Sequence, residues 1–120
     1  MNTPTNIIYK AKSNNGLWYK GYYVRTDNGH IIIEPGADID DEDNIHYINP
    51  NTLCIGCVID GKEYFAGDKV RVRGTKNTGI YETEIIWTGT MFRFLENKTY
   101  INDGFLLPSL IIEITGNIHD

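Results

Sequence analysis

The amino-acid sequence predicts an all-β protein with little or no helix. Residues that favour strands are abundant, since the 120 residues include eight Tyr, four Phe and two Trp. Twelve Gly supply turns between short apolar runs. Several of these runs alternate apolar and polar residues, which is typical of half-buried strands. A chain of this length is expected to form a single domain over residues 1–120.

The first part of the chain predicts a three-stranded meander within residues 1–36. Its strands are the short run Ile7–Tyr9, the aromatic run Leu17–Arg25 and the isoleucine-rich run His30–Glu34. Turn residues separate them, at Asn14-Asn15-Gly16 and Thr26–Gly29. Gly21, inside the aromatic strand, predicts a bulge or a close backbone approach. Because three strands alone are marginally stable, the meander is expected to pack on another layer.

An acidic tract follows the meander. Pro35-Gly36 ends the third strand, and five of the sixteen acidic residues lie between Asp38 and Asp43. We expect a solvated loop there. Calcium binding is an alternative, since hard cations take carboxylate oxygens, but the spacing and the central Gly of an EF-hand loop are missing. Short strands are predicted at Ile45–Ile48 and Leu53–Ile59.

Residues 60–87 predict a long antiparallel hairpin around the loop 74–79. Val70 and Val72 alternate with basic residues before this loop, and Tyr81 and Thr83 alternate with acidic residues after it. If the apolar residues share one face, Lys69 lies opposite Glu84 and Arg71 lies opposite Glu82. The charged face then carries cross-strand ion pairs. A register slip of one residue would bury Arg71, so the register is strongly specified.

The surroundings of this hairpin favour an SH3-like barrel over residues 50–116. A Gly67-Asp68 start, a curved basic strand and a long hairpin are features of such barrels. Further strands are predicted at Met91–Leu95, Thr99–Ile101 and Leu110–Thr115. Trp87, Phe92 and Phe94 are expected in the core. The predicted architecture is therefore a barrel with the N-terminal meander packed on it.

Three motifs, spread over almost the whole chain, carry a family resemblance. They are Trp18–Val24 with Asp27-Asn28-Gly29, then Pro50–Leu53 with Asp60–Val70, and finally Glu113–His119. In this order they resemble the YopX-like proteins of bacteriophages and prophages. That resemblance implies a β-rich fold and a phage origin, and it brings no catalytic residues and no agreed activity.

Charge and hydropathy narrow the functional classes. A formal net charge of −5 argues mildly against a nucleic-acid binder, although the acidic tract accounts for most of the imbalance. The chain has no run of 18 apolar residues and no apolar N-terminal core of a signal peptide. We therefore expect no membrane partner and a location in the bacterial host cytoplasm.

Cys54-Ile55-Gly56-Cys57 is the sharpest motif by spacing. Such a pair is half of a zinc site, with His30, His46 and His119 as further ligands, or a redox pair. We expect instead two buried core thiols, because a regular strand places these positions on opposite faces. No cofactor is predicted, and metal binding by the cysteines stays open.

The aromatic and basic strand residues form the candidate binding site. They are Tyr19, Lys20 and Tyr23, with Arg71 and Arg73 from the hairpin. In the alternative, in which the strand has only a packing role, Trp18, Tyr22 and Val24 face the core and Tyr19 and Tyr23 cover an outer face. No nucleophile, phosphate-loop or metalloprotease motif occurs, so we expect no enzyme. The preferred function is a non-catalytic protein-binding or self-associating module, and the alternative is a nucleic-acid-binding module.

Overall fold

The computed structural model describes residues 6–34, 44–99, 106 and 108–120. Over these residues the protein is all-β, as predicted, and the helical elements with defined bounds are the 3₁₀ turns Pro50–Thr52 and Pro108–Leu110. The chain divides into two compact units, Met1–Glu63 and Tyr64–Asp120. The acidic tract at 38–43, the Pro35-Gly36 stop and most of the strand predicted at 99–101 lie outside the described residues.

The first sheet has six antiparallel strands in the order β4-β3-β2-β1-β5-β6. The strands are β1 (Asn6–Lys12), β2 (Trp18–Thr26), β3 (Gly29–Ile33), β4 (Ile45–Tyr47), β5 (Cys54–Ile59) and β6 (Lys62–Phe65). The predicted β1–β3 meander is confirmed. However, β5 pairs with β1, with Tyr9 opposite Ile55, although the sequence placed β5 in the barrel. The turn between β5 and β6 has φ values of +52° at Asp60 and +80° at Gly61, as a tight two-residue hairpin requires.

One hydrophobic cluster of the first unit lies on one face of this sheet. Ala11, Ile32 and Ile48 are buried there, and Tyr9, Tyr19, Tyr23 and Leu53 pack against them. Tyr22 and Val24 are exposed, by 59% and 38%. The predicted orientation of β2 is therefore wrong. Strand alternation puts Tyr19 and Tyr23 on the core face and Tyr22 and Val24 on the other.

Gly21 makes the close backbone approach that the sequence predicts. Its φ is +155°, and a side chain there would collide with the backbone at the end of β3. A Cβ atom would overlap the Ile33 carbonyl oxygen and would lie 2.8 Å from the carbonyl carbon. Only glycine leaves room for β3 at this point.

The second sheet has four antiparallel strands in the order β10-β7-β8-β9. They are β7 (Asp68–Arg73), β8 (Ile80–Trp87), β9 (Phe92–Phe94) and β10 (Ile111–Asn117). The predicted hairpin register is confirmed, since Lys69 is opposite Glu84 and Arg71 is opposite Glu82. Val70, Val72, Ile85 and Phe94 are completely buried. The alternating pattern thus places the apolar face of the hairpin over the core of this unit.

Three details of the second unit differ from the prediction. Arg71 forms its ion pair with Glu113 of β10, at 2.7 Å from Nη1 to Oε1, and not with Glu82. The hydrogen bond with Glu113 raises the pKa of Arg71. Trp87 tilts against Phe92 but is 37% exposed, so it is not a core residue. Finally, neither sheet closes among the described strands, so the SH3-like barrel is not confirmed.

Two of the three resemblance motifs meet in a buried polar contact. Asp68 is 2% exposed and Asn117 is 3% exposed. Asp68 Oδ2 accepts a hydrogen bond from Phe65 N, and Asp68 Oδ1 accepts one from Asn117 Nδ2, both at 3.0 Å. Nearby, Ile118 N donates to the Gly67 carbonyl oxygen at 2.9 Å. These motif residues therefore hold the end of β10 to the start of β7, which is a structural role.

Candidate binding surface

A group of lysines surrounds a tryptophan on the first sheet. In the register of β1 and β2, Lys10 is opposite Lys20 and Lys12 is opposite Trp18. The Nζ atoms of Lys10 and Lys12 lie 4.8 Å and 5.3 Å from the centroid of the Trp18 ring, within the range of cation–π attraction. We call Lys10, Lys12, Trp18 and Lys20 the lysine–tryptophan cluster.

Lys20 also makes an ion pair that crosses two strands of the sheet. Its Nζ lies 2.5 Å from Glu63 Oε1, although β1 and β5 separate β2 from β6 in the strand order. Neighbouring strands are about 4.8 Å apart, so three intervals span about 14 Å in a flat sheet. The two long side chains reach toward each other across β1 and β5 on the face that carries Lys20. The lysine–tryptophan cluster lies on this same face.

Exposed apolar residues continue the same face across β2, β3 and β4. Val24 is opposite Ile31, and Ile31 is opposite Tyr47. Tyr22 precedes Val24 by two residues and therefore shares its face. Tyr22 is 59% exposed and Tyr47 is 58% exposed, whereas Ile31 between the strands is buried. We call Tyr22, Val24 and Tyr47 the aromatic patch, and the cluster and patch together the open face.

The structure distributes the predicted site residues over different surroundings. Lys20 lies on the open face. Tyr19 and Tyr23 lie on the opposite face, where they stack on histidines: the ring centroids of Tyr19 and His46 are 3.7 Å apart, and Tyr23 Oη is 2.5 Å from His30 Nδ1. Tyr19 and Tyr23 are therefore packing residues.

The two predicted arginines belong to the second unit. Arg71 is engaged by Glu113, whereas Arg73 is exposed at the end of β7. The predicted set thus contributes one residue, Lys20, to the open face. The residues that sequence reasoning missed there are Lys10, Lys12, Trp18, Tyr22, Val24 and Tyr47. Alternation from Lys20 is the signal that finds Trp18 and Tyr22, because positions two apart share a face.

The two cysteines do not form a joint site. Cys54 is opposite Lys10 and Cys57 is opposite Ile7, so the thiols project from opposite faces of β5, as a regular strand predicts. Both are buried, and neither forms a disulfide. Burial raises the pKa of Cys57 to about 11 from its ordinary value of 9.0. Across the described residues, no group of three or more His, Cys, Asp or Glu is placed to hold a metal ion.

We expect Cys57 to react slowly with thiol reagents in the folded protein. At pH 8 a thiol with a pKa of about 11 is about 0.1% thiolate, compared with roughly 10% at a pKa of 9.0, so labelling should slow by about 100-fold. Iodoacetamide labelling of a Cys54→Ala variant, followed by mass spectrometry, measures this rate with and without urea. Equal rates in the two conditions would contradict the buried placement.

Comparisons with known proteins add no relative. The scan against protein families, the search of curated proteins and the search of solved structures all give no match. Within the described residues, no helix has the length and apolar character needed to span a bilayer. The open face itself is therefore the basis for a functional proposal.

Proposed function

We propose that this chain is a non-catalytic accessory protein of a phage or prophage that binds another protein in the host cytoplasm through its open face. The three-motif resemblance supports the phage origin. The observation that carries the binding role is the aromatic patch, in which two tyrosines more than half exposed flank a row of aliphatic side chains. We also propose that the second unit belongs to an SH3-like barrel, as the sequence predicted.

The aromatic patch has the composition of an interface centre. Tyrosine and tryptophan are enriched among residues that dominate binding energy, because they bury a large area and lose little conformational entropy. Ile31 and Ile33 lie between β2 and β4 and give the patch an aliphatic floor. Lysines on the adjoining part of the face supply the charged rim that such interfaces have.

The double variant Tyr22→Ala/Tyr47→Ala should lose the partner and keep the fold. Both side chains are more than half exposed, so we expect little change in Tm. Removal of two anchoring tyrosines should lower partner affinity by about 30-fold or more. The measurement is a nuclease-treated pull-down from phage-infected or induced host cells, followed by titration of the captured partner.

Ile80→Ala/Leu95→Ala is the matched control, because these apolar side chains are 57% and 56% exposed and lie in the second unit. It should leave capture intact. Equal loss with both double variants would contradict an interface on the open face.

A second candidate function is binding of single-stranded nucleic acid. It is favoured by the lysine–tryptophan cluster, since lysines beside aromatic rings bind phosphates and bases on open β-surfaces. The nuclease step separates the two functions. If the captured material disappears after nuclease treatment, nucleic acid replaces protein as the proposed partner.

A further inference from the structure

We infer that β10 pairs with β10 of a second copy of this chain. The two strands lie antiparallel around a twofold axis, with Ile114 of one copy opposite Ile114 of the other. Two four-stranded sheets thereby join into one sheet of eight strands. This inference goes beyond the proposed function, because the open face belongs to the first unit and β10 belongs to the second.

β10 forms one edge of the second sheet and is long for an edge strand. It has seven residues, Ile111–Asn117, and β7 is its neighbour in the strand order. Natural proteins usually protect an edge strand with short length, lysine or proline. β10 contains neither lysine nor proline, and its Ile112 and Ile114 side chains are 39% and 42% exposed. The composition of the strand therefore favours pairing.

The ladder between β10 and β7 leaves backbone groups unused. Its register shifts twice, so Ile112 and Thr115 have no residue opposite them on β7. The extra residue of such a β-bulge is left unpaired by the ladder. At the second shift the Thr115 hydroxyl donates to the Lys69 carbonyl oxygen at 3.2 Å. Within the described part of the chain, residues 111–115 make no backbone hydrogen bonds outside this ladder, so their outward groups are available to a further strand.

The other sheet edges are less suited to pairing. At the far edge of the second sheet, the Phe92 carbonyl oxygen of β9 already accepts a hydrogen bond from Leu106 N at 3.2 Å. The edge strands of the first sheet, β4 and β6, have three and four residues. Both are shorter than the common strand length of about five or six residues. β10 is therefore the longest edge among the described strands.

The charges of β10 favour an antiparallel second copy. Glu113 is the one charged residue of the strand, and Arg71 Nη1 of the same copy lies 2.7 Å from its carboxylate. With Ile114 opposite itself, Glu113 lies opposite Thr115 of the second copy, and no like charges are directly opposite. A parallel twofold pair would set the two Glu113 side chains against each other. The net charge of −5 on each copy is screened beyond about 8 Å in physiological salt.

Sedimentation velocity of the full chain over a range of concentrations tests the pairing. We expect a dimer that dissociates on dilution and no larger species, because a twofold pair occupies the β10 edge of both copies. Ile114→Lys sets two ammonium groups against each other and should raise the dimer dissociation constant by about tenfold or more. The matched control is Leu95→Lys, since Leu95 is 56% exposed and follows β9 at the far edge. It should change the constant by less than about twofold.

A cysteine on the twofold axis tests the register. Directly opposite residues of an antiparallel pair have Cα atoms about 4.5–5.5 Å apart, which is within the range of a disulfide. Ile114→Cys should therefore form a covalent dimer on oxidation with diamide, whereas Leu95→Cys should stay largely monomeric. The native chain is the blank, because its two cysteines are buried. This measurement also decides the case if circular dichroism shows that Ile114→Lys has lost its fold.

Each other outcome overturns the inference. A monomer at every concentration leaves the edge to an extended segment of another protein, and larger assemblies contradict the twofold closure. Equal effects of the two lysine variants, or of the two cysteine variants, contradict pairing through β10. A dimer that Tyr22→Ala/Tyr47→Ala dissociates belongs to the open face. Partner capture should be unchanged in Ile114→Lys, so this inference and the proposed function fail independently.

Discussion

Gly21→Ala is expected to destabilise the protein by more than about 3 kcal/mol, enough to unfold much of the first unit. The added Cβ would overlap the Ile33 carbonyl oxygen and would lie 2.8 Å from the carbonyl carbon. These are backbone atoms of a central strand, so they cannot rotate away as a flexible side chain can. Urea unfolding followed by far-UV circular dichroism measures the loss.

Gly16→Ala separates this collision from the effect of backbone conformation. Gly16 has φ of +83°, and a Cβ there meets nothing within 4 Å. Its replacement should therefore cost only the penalty of a left-handed conformation, about 1 kcal/mol. If both alanine variants lose the same stability, the close approach of β2 and β3 does not limit residue 21.

Asn117→Asp is expected to destabilise the second unit by about 3 kcal/mol or more at neutral pH. The new carboxylate would lie about 3.0 Å from Asp68 Oδ1, where the native amide donates a hydrogen bond. Two buried carboxylates at this distance cannot both ionise cheaply, so the folded state raises the pKa of one of them. The destabilisation should therefore grow as pH rises above about 4 and shrink below it. Urea unfolding at several pH values measures this.

The exchange Asp68→Asn/Asn117→Asp supplies the matched control. It restores one carboxylate and one amide at the same contact, with the donor and acceptor reversed. The introduced amide oxygen can still accept from Phe65 N, and the introduced carboxylate can accept from His119 N. We expect the exchange to recover most of the lost stability. A double variant as unstable as the sum of the two single variants would show that no coupling exists.

The hairpin of the second unit was predictable in its register. Val70 and Val72 must share a face, and a one-residue slip would bury Arg71, so only one register satisfies both charge and burial. The actual partner of Arg71 was not predictable, because Glu113 lies directly opposite it on β10, and local alternation does not identify β10 as a neighbour of β7. Alternation determines which face a residue occupies but not which strand lies beside it.

The residues of the candidate site were less predictable than the register of the hairpin. Lys20 could be assigned to an exposed face from the sequence, but Tyr19 and Tyr23 could not share that face in a regular strand. Consistent alternation predicts Trp18, Tyr22 and Val24 instead, and these are the residues that the structure places there. Lys10 and Lys12 join them only through the pairing of β1 with β2. The open face is therefore a product of topology more than of any single motif.

The assignment of strands to the two sheets was not predictable for a similar reason. The apolar run of β5 reads as a buried strand in either unit, and nothing within Cys54–Ile59 selects β1 as its neighbour. The tight Asp60-Gly61 hairpin then adds β6 to the same sheet. The strand content was predictable, whereas the distribution of strands between two sheets was not.

The contact between Asp68 and Asn117 has a consequence for biosynthesis. These residues are 49 positions apart. Arg71, on the same strand as Asp68, is likewise paired with Glu113 of β10, which is synthesised last among the strands. While a ribosome is still making β10, one edge of the nascent four-stranded sheet lacks its last neighbour. Such long-range pairing slows folding relative to local hairpins. The β7–β8 hairpin therefore lacks its β10 neighbour on the β7 edge until residue 117 has been synthesised.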